Sequence, residues 1–294
     1  MQQRSLPAFT FATKTYCLLT KPGIILGNII TMSGGFALAS KGNIDVGLFL
    51  ATLAGLALVI ASGCVFNNYI DRDFDEKMAR TKHRALVMGL VSTRQAMVFA
   101  IVLGVFGALF LALFTNLLTV MIALLGFFVY VVLYSISKYR SIHGTLVGSI
   151  AGAVPPVVGY CAVSNCLDAG ALIVFTMIVM WQMPHFFAIA IYRLEDYLAA
   201  SIPVLPIKKG IHRTKIHMMA YILAFMIASF LLTVFNYTGY TYLVIAALLG
   251  IAWLCLCVQG LNCDNHQHWA RNMFLFSLVI VVVQCLIIPF NVVA

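Results

Sequence analysis

The sequence predicts an all-α membrane protein with nine transmembrane helices, from its hydropathy, the length of its apolar segments and its distribution of charge. Hydrophobic residues make up 63% of the 294 residues, charged residues only 9%, and the mean hydropathy is +1.02. A helix crosses a bilayer with about twenty apolar residues. Nine such segments occur, at 22–39, 46–66, 96–114, 117–134, 144–163, 171–191, 216–235, 242–258 and 274–290. We interpret residues 1–294 as a single transmembrane domain.

The basic residues orient the predicted bundle. With nine spans, the N-terminus and the connections that follow even-numbered spans lie on one side of the membrane. That side carries every Lys and Arg of the 18 in the chain except Lys41. Because positive charge stays on the cytoplasmic side, we expect a cytoplasmic N-terminus and a C-terminus on the opposite side. The net charge of +9 therefore reflects membrane topology and does not indicate nucleic-acid binding.

The connection after the second span carries the most informative motif. Four of the nine acidic residues of the chain fall between positions 67 and 84. On a helix, Asn67, Asp71 and Asp75 lie at i, i+4 and i+8 and share one face. Their oxygens suit a hard cation such as Mg²⁺, whose shell often includes a substrate phosphate. A solvated cytoplasmic loop is the alternative, but the regular spacing and a second acidic connection favour the metal site.

The fifth span predicts a closely packed helix that bends. Its glycines Gly144, Gly148 and Gly152 form a small-residue stripe of the kind that lets helices approach closely. Pro155 and Pro156 follow and are expected to bend or end that packing.

His185 lies inside the sixth span, directly after Pro184, which is expected to interrupt the helical hydrogen bonds and shape a pocket. A buried histidine can be a structural hydrogen-bonding group, an acid or base, or an axial ligand to haem iron. The residues leave these roles open. With a helical rise of about 1.5 Å per residue, His185 is expected roughly 15 Å deeper in the membrane than Asp196, too far to bind the same phosphate.

The second acidic connection follows the sixth span and holds Glu195 and Asp196. It lies on the same side of the membrane as the first, so the two could face each other across a cavity. A metal would then bridge carboxylates to a diphosphate, and cations would neutralise the remaining charge. Each basic residue could equally be a membrane-surface anchor. The candidate cations are Arg72, Arg80, Lys82, Arg84, Lys138, Arg140 and Arg193.

These motifs resemble those of the UbiA superfamily of intramembrane prenyltransferases. The run Asn67-x-x-x-Asp71-x-x-x-Asp75 is similar to the first aspartate-rich motif of that superfamily. The superfamily's second motif has two aspartates four residues apart, and here Tyr192 and Asp196 occupy those positions. Further runs resemble the haem O synthase branch, the protohaem IX farnesyltransferases, and matches extend from the first span to the start of the ninth. These runs are Lys21-Pro22-Gly23-Ile24, Trp181-Gln182-Met183-Pro184-His185-Phe186 and Ile202-Pro203-Val204-Leu205-Pro206.

The resemblance implies nine helices around a cavity near the cytoplasmic face of the bacterial inner membrane, with the C-terminus in the periplasm. It implies transfer of a farnesyl group from farnesyl diphosphate to a vinyl group of haem b, with water addition, giving haem O and diphosphate. Mg²⁺ would assist ionisation of the diphosphate, and His185 and Trp181 would bind the haem. His185 could instead act in catalysis by relaying the proton of the added water. A terminal oxidase or a haem-modifying enzyme would receive the product. The implied metal ligands are Asn67, Asp71, Asp75 and Asp196.

Three alternatives differ in testable features. A prenyltransferase acting on a quinone precursor or a chlorophyll-like ring would share the aspartate motif but lack the run at 181–186. A transporter would more often place its charges at mid-membrane, whereas these acids lie at one interface. A scaffold subunit of a respiratory oxidase would not need two facing acidic clusters.

Overall fold

The computed structural model describes residues 8–293, most of which are helical. Nine helices of this part are long and apolar enough to cross a membrane, which confirms the predicted count. The two chain ends, and with them the predicted sides of the termini, lie outside the described residues. The nine are α1 (Pro22–Ser40), α2 (Val46–Ile70), α3 (Thr93–Phe114), α4 (Leu117–Arg140), α5 (Gly144–Ser164), α6 (Ala169–Tyr192), α7 (Ile211–Val234), α8 (Tyr240–Asn262) and α9 (His266–Asn291).

Four short helices lie on the side predicted to be cytoplasmic. One precedes α1, one follows α2 and two follow α6, so the connections after α2 and α6 are partly ordered as helix. A hydrogen bond of 2.7 Å from Asn68 Nδ2 to the Leu19 carbonyl ties the first of them to α2. The four are Ala8–Leu19, Arg72–Asp75, Leu194–Ala199 and Leu205–Lys209.

Some helices extend beyond the apolar segments that predicted them. The last helix begins at His266 rather than at 274, because Asn265 accepts a hydrogen bond of 2.9 Å from the His268 N–H. Its first two turns are polar and therefore do not register in hydropathy. The seventh likewise begins at Ile211 rather than at 216.

The two proline-containing spans behave differently. In α5 the helix breaks at Ala153, directly before Val154–Ser164, as the proline pair predicts. In α6, Pro184 lies inside a continuous helix, so the expected interruption is confined to the hydrogen bond that its missing N–H would donate. Pro184 removes one backbone donor without ending the helix, because the turns on either side remain packed in the core.

Glycine allows α1 and α5 to meet at backbone distance. A Cβ atom on Gly35 would lie 2.0 Å from the Pro156 carbonyl oxygen, and one on Gly159 would lie 2.1 Å from the Met32 carbonyl oxygen. Any larger residue would therefore force these helices apart. This contact packs the second half of α1 against α5, and the first half of α1 contributes Gly23, Ile24 and Gly27 to the wall of the cavity that the bundle encloses.

Candidate active site

The helices enclose a cavity of about 740 Å³ that reaches from the connection after α2 into the apolar part of the bundle. Charged residues line the end nearest the connection, and aromatic residues from α6 and α9 line the apolar part. The charged and amide residues of the lining are Lys21, Asn28, Asn67, Asp71, Asp75, Arg80, Arg84, Lys138 and Gln182.

The aspartate motif follows one helical face, as its spacing predicts. Asp71 N–H bonds to the Asn67 carbonyl at 2.9 Å, and Asp75 N–H bonds to the Asp71 carbonyl at 2.8 Å. The helical path of α2 therefore continues through Arg72–Asp75. Asn67 is 3% exposed and both aspartates are 2% exposed, so the motif is part of the cavity wall and not a solvated loop.

Each motif side chain contacts a basic or phenolic partner from elsewhere in the chain. Asp71 accepts from Lys138 Nζ at 2.7 Å and from the hydroxyl of Tyr139. Asp75 pairs with Arg84 Nη1 at 2.5 Å. Asn67 Oδ1 accepts from Lys21 Nζ at 2.5 Å, whereas its Nδ2 is buried and has no partner in the described part of the chain.

The charged end of the cavity is cationic. Four basic side chains and two carboxylates line it, an excess of two positive charges. Burial raises the pKa of Asp71, but Lys138 and Lys21 outweigh this effect and hold the pKa below its usual value. Burial, and then repulsion from Arg84, lowers the pKa of Lys21 to about 8. This end suits a highly charged anion.

The donor set fits Mg²⁺ that shares its shell with a substrate. The described residues contain no cluster of three or more His, Cys, Asp or Glu side chains that could hold a metal alone. Two buried carboxylates and an amide oxygen, with the remaining ligands from phosphate and water, match the way Mg²⁺ is usually bound. The unpartnered N–H of Asn67 is a donor suited to a phosphate oxygen.

The second connection presents a different surface to the cavity. Asp196 is half-buried, lies outside the lining and forms no ion pair among residues 8–293. Tyr197 and Ile202 line the cavity instead. The two connections do meet, but through an apolar cluster in which Met78 packs with Ala200 and Ile202.

Several predicted cations are not brought into the site. Arg72 pairs with the exposed Asp73 at 3.3 Å, and Arg193 stacks on the Tyr192 ring at 4.3 Å. Lys82 and Arg140 are exposed. None of these four lines the cavity, whereas the candidates Arg80, Arg84 and Lys138 do.

His185 and Trp181 line the aromatic part of the cavity. Their rings stack at 4.9 Å between centroids, and Phe274 of α9 lies 5.0 Å from the His185 ring. The prediction that His185 lies roughly 15 Å deeper than Asp196 assumed one helix running from His185 to Asp196. That assumption is wrong, because α6 ends at Tyr192. Seven residues separate His185 from that end, a depth of about 10 Å at the helical rise.

Four further residues contact the cavity or its aspartates without being predicted from the sequence. They are Lys21, Tyr130, Tyr134 and Tyr139. Tyr130 and Tyr134 lie on a π-helical turn of α4, Val129–Tyr134, and both line the cavity. Short π-helical segments occur often at functional sites, but no local pattern predicts this one. Lys21 belongs to the Lys21-Pro22-Gly23-Ile24 run, whose family resemblance could have indicated that this lysine lies at the site.

Comparison with known proteins agrees with this architecture. A model of the UbiA prenyltransferase family matches residues 28–279. Protoheme IX farnesyltransferase of Protochlamydia amoebophila (strain UWE25) is 58% identical over 278 residues, 95% of this chain and 98% of that protein.

Two solved structures share the fold. One described as digeranylgeranylglyceryl phosphate synthase superposes with a TM-score of 0.78 at 20% identity, covering 95% of this chain and 98% of that one. A UbiA homolog from Archaeoglobus fulgidus bound to GPP and Mg²⁺ superposes with a TM-score of 0.63 at 14% identity, covering 94% and 99%. The family match and the high identity across nearly the whole chain show that this multi-pass membrane protein is an enzyme of the UbiA prenyltransferase family.

Proposed function

We propose that this enzyme transfers the farnesyl group of farnesyl diphosphate to a vinyl group of haem b, with addition of water, giving haem O and diphosphate. The observation that carries the proposal is one continuous cavity with a cationic end around Asp71 and an aromatic part around His185. The relative named protoheme IX farnesyltransferase, 58% identical, supports the choice of both substrates.

The cationic end binds the diphosphate. Lys21, Arg84 and Lys138 already lie against the motif side chains, and Arg80 is also part of the wall. Phosphate oxygens that enter this end meet cations held in place by the fold, which reduces the entropy lost on binding. The unpartnered N–H of Asn67 offers one further hydrogen bond.

Asn67, Asp71 and Asp75 hold Mg²⁺, which polarises the diphosphate and stabilises it as a leaving group. The structural neighbour from A. fulgidus bound to GPP and Mg²⁺ supports this assignment. The family resemblance also implies Asp196 as a ligand, but Asp196 does not line the cavity, and we propose that the metal is held without it.

The apolar walls protect the reacting carbon from bulk water. The bond between C1 of the farnesyl group and the diphosphate oxygen breaks, and diphosphate leaves with the electron pair. The vinyl π electrons of haem b then form the new carbon–carbon bond to the allylic cation. Water adds to the resulting cation beside the porphyrin and loses one proton. The aromatic residues Tyr130, Trp181 and Phe274 line this path, and aromatic rings stabilise a nearby positive charge.

The decisive experiment uses purified protein in lipid nanodiscs with haem b, farnesyl diphosphate and Mg²⁺. The product should be heavier than haem b by the elements of farnesol in mass spectrometry, and should carry one label when formed in ¹⁸O-enriched water. Chelation of divalent cations should stop the reaction. Prenylation of a quinone precursor, with haem b left unmodified, would replace this proposal with the alternative acceptor.

We also propose the inner membrane of a bacterium as the location, with both acidic connections in the cytoplasm and the C-terminus in the periplasm. The distribution of Lys and Arg supports this orientation. Alkaline phosphatase fused after Asp75 should be inactive, and activity there would reverse the topology. The product then passes to a terminal oxidase or to a haem-modifying enzyme.

A further inference from the structure

Ser277 on α9 makes three contacts that together define the state of His185. Its hydroxyl oxygen lies 2.6 Å from the Phe274 carbonyl oxygen and 2.7 Å from His185 Nδ1. Its own carbonyl accepts a hydrogen bond of 2.9 Å from Trp181 Nε1. Ser277 is 0% exposed, so the protein itself supplies these partners.

The single proton of the Ser277 hydroxyl allows only one pattern of hydrogen bonds at this residue. The hydroxyl carries a single proton, and the carbonyl of Phe274 can only accept a hydrogen bond. Both contacts are hydrogen bonds only if the hydroxyl donates to Phe274 and accepts from an N–H at His185 Nδ1. In the neutral imidazole, Nε2 then has no proton and carries a free lone pair.

That lone pair is accessible from the cavity. His185 Nε2 makes no hydrogen bond to any described residue, yet it is not among the buried polar atoms without a partner. Since the ring lines the cavity, Nε2 is reached from there. Stacking on Trp181 and contact with Phe274 restrict the orientation of the ring.

We propose that Ser277 is a positioning residue that holds His185 with Nε2 presented as an axial ligand to the iron of the haem acceptor. The proposal rests on the proposed function, because it takes haem b as the acceptor. Histidines that bind metals usually donate their other N–H to a neighbouring oxygen, which fixes the tautomer and increases the basicity of the ligating nitrogen. An iron bound in this way anchors the flat porphyrin, and with it the vinyl group, at one place in the cavity.

The test measures haem binding separately from turnover. Haem b is titrated into the purified full-length protein without farnesyl diphosphate, and absorption and resonance Raman spectra are recorded. The wild type should show a histidine-ligated haem, His185→Ala should lose that signature, and added imidazole should restore it. Ser277→Ala should weaken haem affinity by about 10- to 100-fold, whereas Ser277→Thr, which keeps the hydroxyl, should retain most of it.

Two controls separate ligation from packing. Ser229→Ala removes another fully buried serine hydroxyl, one that donates to the Phe225 carbonyl on α7, and should leave the haem spectrum unchanged. Metal-free protoporphyrin IX has the same shape as haem b without the iron, so Ser277→Ala should scarcely change its affinity. Equal weakening of both porphyrins would overturn the proposal and show a packing defect.

The remaining outcomes distinguish this proposal from the function on which it rests. Wild-type affinity and spectrum in Ser277→Ala would overturn the positioning role. An unchanged axial signature in His185→Ala, with turnover lost, would overturn ligation in favour of an acid or base role. If the wild type shows the histidine signature but forms no haem O from farnesyl diphosphate, the proposed function fails and the ligation stands.

Discussion

The two acidic connections of this enzyme, after α2 and after α6, resemble each other in sequence and differ in structure. In the first, Asp71 and Asp75 are 2% exposed, pair with basic side chains and line the cavity. In the second, Glu195 is exposed, and Asp196 is half-buried and outside the lining. A buried carboxylate needs a cation or hydrogen-bond donors to offset its lost hydration. For Asp71, these come from α4.

The second connection contributes shape instead of charge. Ala200 and Ile202 pack on Met78 of the first connection, and Tyr197 forms part of the cavity wall. Similar composition therefore serves two purposes: the first connection supplies candidate ligands, and the second covers the cationic end of the cavity.

Asp71→Asn or Asp75→Asn should reduce haem O formation by on the order of 10³-fold, as expected when a charged group that stabilises a transition state is removed. The shape of the side chain is kept, so the purified variants should still insert into membranes and unfold cooperatively. Asp73→Asn is the matched control, because Asp73 lies in the same motif but its side chain is 79% exposed. Its turnover should stay within about twofold of wild type. Near-normal turnover of Asp71→Asn would show that the motif has no role in catalysis.

His185→Ala should weaken haem b binding by on the order of 100-fold while the affinity for farnesyl diphosphate changes by less than about twofold. The physical reason is separation, since His185 lies about 10 Å below the end of α6 and contacts aromatic rings, not the cationic end. Parallel calorimetric titrations with the two substrates measure this. Loss of farnesyl diphosphate affinity with an intact haem spectrum would assign His185 to the other substrate.

Asp196→Asn should cost about tenfold or less in turnover, equivalent to about 1.4 kcal/mol or less, and should not shift the Mg²⁺ concentration that gives half-maximal activity. Asp196 lies outside the cavity lining and has no ion pair in the described part of the chain. If the loss equals that of Asp71→Asn, Asp196 is a metal ligand and the division between the connections is wrong.

Tyr139→Phe should have the smallest effect, about two- to tenfold in turnover, the usual value of one hydrogen bond. It removes the hydroxyl that donates to Asp71 but keeps the ring stacked on Phe74 at 3.7 Å. Lys138 still neutralises the carboxylate. Tyr192→Phe is the control and should behave like wild type, because the Tyr192 ring contacts Arg193 and its hydroxyl, unlike that of Tyr139, does not donate to Asp71. Equal effects of both substitutions would show that the Tyr139 hydroxyl makes no specific contribution to the site.

The features that the sequence predicted correctly depend on residues close together in the chain. Hydropathy over about twenty residues predicts each span, and the i, i+4, i+8 spacing of Asn67, Asp71 and Asp75 predicts a shared helical face. The family resemblance also follows from short runs such as residues 181–186. Boundaries were less well predicted where polar turns extend a helix, as at His266, because hydropathy detects the membrane environment and not the hydrogen bonds.

The sequence alone therefore predicted the number of spans, the charge asymmetry, the candidate metal-binding motif and the position of His185 inside α6. Tertiary structure alone decided which side chains meet: Lys138 with Asp71 across 67 positions, and Ser277 with His185 across 92. It also excluded Asp196 from the cavity wall. The physical reason is that helices and spans form from local periodicity and hydropathy, whereas burying a charge depends on partners that only the packing of distant helices brings within hydrogen-bond distance.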